Sequence, residues 1–137
     1  MSVSLYDISI PTFRRGLQNL ASFLDKAEAH AGASGADLGT YTAARLAPDM
    51  HPFTRQVQMA SDAAKGGAAR LAGVEAPKME DVETTFPELH QRIAKTIAVF
   101  EPVTMLVRPE DRKLAAKLCG EKVELVETAL DRAVPQQ

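Results

Sequence analysis

The chain has 137 residues, a length that suits a single domain with one hydrophobic core. Its formal net charge of -2 and pI of about 5.9 exclude a general nucleic-acid binder, which needs a basic face. The single cysteine excludes an internal disulfide, and no apolar run approaches the roughly 20 residues of a membrane-spanning helix. The chain also opens without the basic and apolar regions of a signal peptide. We therefore expect a cytoplasmic protein, one domain over residues 1–137, that binds neither nucleic acid nor membrane.

The composition favours helices over strands, because alanine is abundant, tryptophan is absent and aromatic residues make up only 5%. We expect an all-α fold whose first helix covers residues 4–31, with Ser4 and Asp7 in a capping-box pattern. Pro11 cannot donate to the carbonyl four residues back, which predicts a kink or a later helix start. The predicted apolar stripe comprises Leu5, Ile8, Phe13, Leu17, Leu20, Leu24 and Ala27.

Residues 32–49 are predicted to form a connection, since they contain three glycines and a proline. We expect Leu38, Tyr41 and Leu46 to pack a short turn of helix onto the core. A connection this long is unusual in an up-down helical hairpin. It therefore indicates a crossover between helices or a functional loop.

The second main helix is predicted between Pro52, which suits the first helical position, and Gly73, which suits a helix stop. Gln56 falls inside its predicted buried arc, either as an amide satisfied between helices or as a polar group lining a cavity. Gly66 faces away from this arc. A seam for close helix packing is formed by Phe53, Val57, Ala60, Ala64, Gly67 and Leu71. The side chains predicted to face solvent are Arg55, Gln58, Asp62, Lys65 and Arg70.

Residues 74–83 form a second predicted connection, and Thr85-Phe86-Pro87-Glu88 begins the third helix with another capping-box pattern. Pro102 is predicted to end this helix. A short helix is then predicted from Arg108 to Cys119, and residues 123–134 fit a helix or a strand leading into a helix. The apolar stripe of the third helix comprises Phe86, Leu89, Ile93, Ile97 and Phe100.

The three histidines lack the i,i+3 or i,i+4 spacing of a helical metal site. His30 is predicted at the end of the first helix, where a cation complements the dipole. His51 is predicted in a capping or loop position, and His90 as a partly buried structural residue. His51 and His90 are the weak candidates for metal ligands, and Gln56 and His90 are the candidates for a ligand-binding cavity.

No catalytic residue is predicted from the sequence motifs. Cys119 lies at a predicted helix end, away from the electropositive settings that activate thiols. Neither a GxSxG elbow nor a phosphate-binding glycine loop is present. The carboxylates are predicted on exposed faces without evident pairing.

Three segments together resemble a bacterial branch, of unknown function, of the DinB/YfiT-like superfamily. They are SLYDISIPTFRRGLQNLASFLDKA, LAPDMHPFTRQVQMASDAAKGGAARLAG and FPELHQRIAKTIAVF, and the second carries the most specific pattern. The resemblance implies an up-down-down-up four-helix bundle whose long first connection crosses over. The chain stops at AVPQQ, where the resemblance places an aromatic-rich, histidine-containing last helix. We therefore expect the bundle to be incomplete at its C-terminus.

The better-understood members of that superfamily hold a divalent metal with three histidines, one on the second helix and two on the last. Some use the metal to activate a small thiol cofactor for transfer or isomerisation. Here the second helix offers only His51 before its start and Gln56 within it. No cofactor is therefore predicted from the residues, although the resemblance implies zinc or nickel.

Three functions follow as hypotheses. The preferred one is a non-catalytic DinB-like bundle that associates as a homodimer, since its packing seams are clear and no ligand set is visible. The alternative is a divalent-metal-dependent enzyme, a thiol-dependent transferase or isomerase. The third is a binding module for a small molecule, with a cavity beside the alanine-rich seam.

Overall fold

The computed structural model describes residues 5–107, with side chains as far as residue 104. The predicted elements at 108–119 and 123–134 lie outside this range, as does Ser4 of the first capping-box pattern. Every described element is helical, so the predicted all-α bundle class is confirmed. No helix in the described range combines the length and apolar character needed to cross a membrane. The helices are α1 (Leu5–Ser34), α2 (Leu38–Ala43), α3 (Phe53–Ala72), α4 (Phe86–Ala98) and α5 (Phe100–Val107).

α1 contributes an apolar stripe that advances in steps of three and four residues, the repeat of helices packed at a shallow angle. The predicted stripe was wrong at its start, because Leu5 and Ile8 are 66% and 59% exposed. Traced back from Leu17, the repeat of three and four residues reaches Ile10 rather than Ile8. α1 also includes Pro11, so the helix does not begin after this proline. The buried or partly buried stripe comprises Ile10, Phe13, Leu17, Leu20, Leu24, Ala27 and Ala31.

The long connection between α1 and α3 contains the short helix α2. Leu38 and Tyr41 pack against the core as predicted, whereas Leu46 is 93% exposed and does not. α3 ends at Gly73, whose φ of 68° is the left-handed conformation that glycine adopts without strain. The amides of Gly73 and Val74 donate to Arg70 and Ala69, which satisfies two carbonyls at the helix end. Pro52 precedes α3 by one residue, at the N-cap.

The buried face of α3 is rotated from the predicted seam. Ala60 and Gln56 are exposed, while Gln58 and Lys65 are only 4% and 6% exposed. The prediction that Gln58 and Lys65 face solvent was therefore wrong. The reason is a polar cluster between α3 and α4, which draws polar side chains of α3 inward. The buried residues of α3 are Val57, Gln58, Ser61, Ala64, Lys65, Ala68 and Ala69.

Arg92 of α4 is the centre of this polar cluster and is 2% exposed. Its Nη2 lies 2.8 Å from Asp62 Oδ1 of α3 and 3.0 Å from Asp81 Oδ1. Nη1 lies 3.0 Å from Glu83 Oε2 and 3.1 Å from the Glu80 carbonyl. Three carboxylates, those of Asp62, Asp81 and Glu83, are thus gathered around one buried cation.

The cluster is electrically balanced and fully hydrogen-bonded. Lys65 pairs with Asp62 at 3.1 Å, and Arg55 pairs with Asp81, so three cations meet three carboxylates. Arg92 Nε donates to Ser61 Oγ at 3.1 Å. Burial alone would lower the pKa of Arg92, but the hydrogen bond and charge of Glu83, with the two aspartates, raise it. The residues 74–85, which form no helix, are fixed to both helices by these bonds.

α4 begins with the predicted capping box. The Glu88 carboxylate accepts the backbone N–H groups of Thr84 and Thr85 at 2.8 and 2.9 Å, which lowers the pKa of Glu88 to about 2. Pro102 was wrongly predicted to end this helix. α4 ends at Ala98, and Pro102 lies in the first turn of α5, where its missing N–H has no intrahelical partner.

Replacing Arg92 tests the polar cluster. We expect Arg92→Ala to lower the free energy of unfolding by about 3 kcal/mol or more, because it removes the cation paired with Glu83, whose side chain is only 12% exposed. Urea denaturation measures the change. Arg14→Ala is the matched control, since it pairs with Glu101, which is 68% exposed, and such a pair contributes about 1 kcal/mol at most. Equal losses in the two variants would contradict the role given to Arg92.

The adjacent glycines of α3 provide a second test. A Cβ at Gly67 would lie 3.1 Å from the Phe13 ring, whereas one at Gly66 would meet only the end of Arg70 at 3.5 Å. Gly66→Ala should therefore raise stability by about 0.5–1 kcal/mol, the usual helix-propensity gain. Gly67→Ala should be less stable than Gly66→Ala by at least about 1 kcal/mol, because crowding against the Phe13 ring offsets the helix-propensity gain. Thermal unfolding of both variants checks this, and equal stabilities would contradict the tight packing at Gly67.

Candidate functional site

A cavity of about 560 Å³ lies where α1, α2, the start of α3 and the start of α4 meet. The cavity was predicted beside the alanine-rich seam of α3, and the seam residue that lines the observed cavity is Phe53, at the helix start. Aromatic rings dominate one wall, where Phe53 and Phe86 lie with centroids 6.1 Å apart. The apolar lining comprises Phe23, Ala27, Leu46, Met50, Phe53 and Phe86, and the polar side chains are Tyr41, Arg45, His51 and Gln56.

The segment between α2 and α3 closes this cavity and is held by local hydrogen bonds. The Phe53 amide donates to the Ala44 carbonyl at 2.8 Å, which satisfies a backbone N–H at the start of α3. The Thr54 hydroxyl donates to the Thr42 carbonyl at 3.0 Å, and the Arg45 guanidinium donates to the Met50 carbonyl. These bonds keep the charged Arg45 beside a largely apolar space.

Gln56 and His51 both lie at this cavity. Gln56 is exposed rather than inside a buried arc, and its Nε2 lies 3.4 Å from the His51 carbonyl. Gln56 was predicted either as an amide satisfied between helices or as a polar group lining a cavity, and its position fits the second interpretation. A ligand role for Gln56 remains a prediction.

The three histidines do not come together in the described structure. His30 is exposed at the end of α1 and meets Tyr41 edge-on, with ring centroids 6.4 Å apart. His51 lies at the cavity, and His90 is not among the residues that line it. His90 instead lies against Asp25 and Glu28 of α1. Asp25, Glu28 and His90 are placed so that one ligand atom of each could bind the same metal ion. Within residues 5–107, they are the one such group of at least three acidic, histidine or cysteine residues.

The three-histidine metal site implied by the superfamily resemblance is therefore not formed by the described residues. No reaction step is assigned to such a metal. Cys119 and the end of the chain lie outside the described range.

Comparison with known families identifies the chain's relatives. The sequence matches the model of a domain of unknown function, DUF1993, over residues 5–133. The chain belongs to the DUF1993 family. This match spans nearly the whole sequence, including residues outside the described structure. A search of curated proteins finds no match to this DUF1993 chain.

A solved structure relates this DUF1993 chain to DinB proteins. The crystal structure of a DinB family member from Shewanella denitrificans is 45% identical, with a TM-score of 0.69. The match covers 71% of this chain and 56% of the relative, so this chain spans little more than half of that protein's length. The DinB-like resemblance inferred from the three sequence segments is confirmed.

Sequence reasoning missed Arg45, Asp25 and Glu28. Arg45 gave no signal, because one arginine in a glycine-rich connection is usually solvated. Asp25 and Glu28 are spaced i,i+3 on α1, which places them on the same side of the helix. That spacing was readable, but only the packing of α4 on α1 brings His90 to them.

Proposed function

We propose that this DinB-like bundle is a binding module that holds a small, largely apolar carboxylate in the cavity at the start of α3. The single observation that supports the proposal is the cavity of about 560 Å³, lined mainly by aromatic and aliphatic side chains beside Arg45. Sites for small molecules have volumes of about 300–1,000 Å³ and combine apolar walls with a few polar groups.

The distribution of the lining favours an amphiphilic ligand. Phe23, Ala27 and Phe86 come from α1 and α4 and offer an apolar surface. Arg45 and His51 come from the connection before α3, so the polar groups lie together along the chain. A guanidinium binds a carboxylate through charge-assisted hydrogen bonds, and this pairing sets the polar end of the ligand.

The metal-dependent transferase or isomerase remains the alternative hypothesis. It requires three histidines to share one metal, and His30, His51 and His90 do not share one within residues 5–107. The binding module is preferred because the cavity gives it a direct observation.

Calorimetric titration with decanoate tests the cavity. We expect decanoate to bind, and Ala27→Phe to weaken binding about tenfold or more because the new ring fills the space. Ala29→Phe is the matched control, since Ala29 is exposed on the same helix and does not line the cavity. Arg45→Gln should weaken decanoate but leave decan-1-ol unchanged, because only the carboxylate pairs with the cation. Absence of binding, or equal loss in both alanine variants, would contradict the proposal.

Self-association as a homodimer is a second, independent part of the proposed function. It is supported by Leu5 and Ile8, two large apolar side chains one turn apart on α1 that lie outside the core stripe. A second copy of the chain would remove them from water, which is favourable in proportion to the apolar area buried.

Light scattering at micromolar concentration tests the homodimer. We expect twice the chain mass for the wild type, and the mass of one chain for the double variant Leu5→Glu and Ile8→Glu. Val82→Glu is the control, because Val82 is 68% exposed in another part of the surface. A monomeric wild type would refute the dimer.

A further inference from the structure

A second group of chemically capable side chains lies away from the cavity lining, between α1 and α4. Asp25 and Glu28 project from the same side of α1, and His90 of α4 faces them. One ligand atom from each of the three residues lies within 4.8 Å of the other two. The imidazole and Glu28 are about one-third exposed or less, whereas Asp25 is 70% exposed, so solvent reaches the group from one side.

The distances in this group match those of a coordinated metal ion. His90 Nε2 lies 3.3 Å from Asp25 Oδ1 and 3.6 Å from Glu28 Oε2. Around a tetrahedral zinc with bonds of about 2.0–2.2 Å, two ligand atoms are about 3.3–3.6 Å apart. Both nitrogen–oxygen distances are therefore ones that a single zinc ion accommodates, and the two carboxylate oxygens lie within 4.8 Å of each other.

The charge of the group also favours a divalent cation. Asp25 and Glu28 place two carboxylates three residues apart on the same helix. Like charges at this spacing on a helix repel each other. Lys26 follows Asp25 in the sequence, but its Nζ lies over the Phe23 ring, 5.8 Å from the ring centroid. A divalent ion would neutralise both carboxylates at once.

We propose that Asp25, Glu28 and His90 form a zinc site that joins α1 to α4. One nitrogen and two carboxylate oxygens are ligands that zinc accepts, and the exposed side leaves its fourth position to water. This site differs in both ligands and helices from the three-histidine arrangement that the DinB/YfiT resemblance implies. Because the ligands are 62 residues apart along the chain at their nearest, Glu28 to His90, bound zinc would stabilise the packing of the two helices.

Zinc titration of protein freed of its affinity tag and dialysed against a chelator tests the site. The wild type should take up one zinc per chain and unfold at a higher temperature with zinc than without it. His90→Ala should abolish both effects. Glu28→Gln should weaken zinc binding about tenfold or more while leaving the circular dichroism spectrum unchanged.

His30→Ala is the control, because His30 is an exposed histidine of α1 outside the group, and it should bind zinc like the wild type. The imidazole resonances of His90 should shift in NMR spectra as zinc is added. A wild type that takes up no zinc at millimolar concentration would overturn the site. Binding that survives His90→Ala but is lost in Cys119→Ser would overturn it as well, since the ligands would then be elsewhere.

Discussion

A guanidinium that is 2% exposed must have its charge balanced inside the protein, and this requirement at Arg92 shapes the packing of α3, α4 and the segment between them. Asp62 supplies one carboxylate from α3, and Asp81 and Glu83 supply two from the connection. The connection has no helix of its own, so these bonds give it a defined position. α3 turns its polar side inward to complete the same network.

The cavity depends on that arrangement. The connection leads directly into the capping box at Thr85 and then into Phe86, which is 1% exposed and forms part of the cavity wall. The opposite wall comes from α1, whose stripe of seven-residue repeats fixes Ala27 near the same space. The helices therefore support the hydrogen-bonded segment before α3, and this is how helical folds commonly place binding groups between helices.

Local sequence signals predicted the start of α4 and the end of α3, because caps act within a few residues. Glu88 and Gly73 are examples, and the repeats of α1 and α4 were readable for the same reason. The rotation of α3 was not predictable, since Gln58 and Lys65 look like solvent-facing residues until Arg92 is placed against them. The candidate site shows the same limit: His51 and Gln56 lie close in sequence and both line the cavity, whereas the approach of His90 to Asp25 depends on tertiary packing.

A double-mutant cycle measures the direct coupling between Arg92 and the connection that holds Asp81 and Glu83. Urea denaturation of Arg92→Met, Glu83→Gln and the double variant gives the interaction energy of the pair. The structure predicts a coupling of about 1–3 kcal/mol, because the two side chains share hydrogen bonds in a buried network. Additive losses, within about 0.3–0.5 kcal/mol, would contradict the claim that Arg92 holds the connection in place.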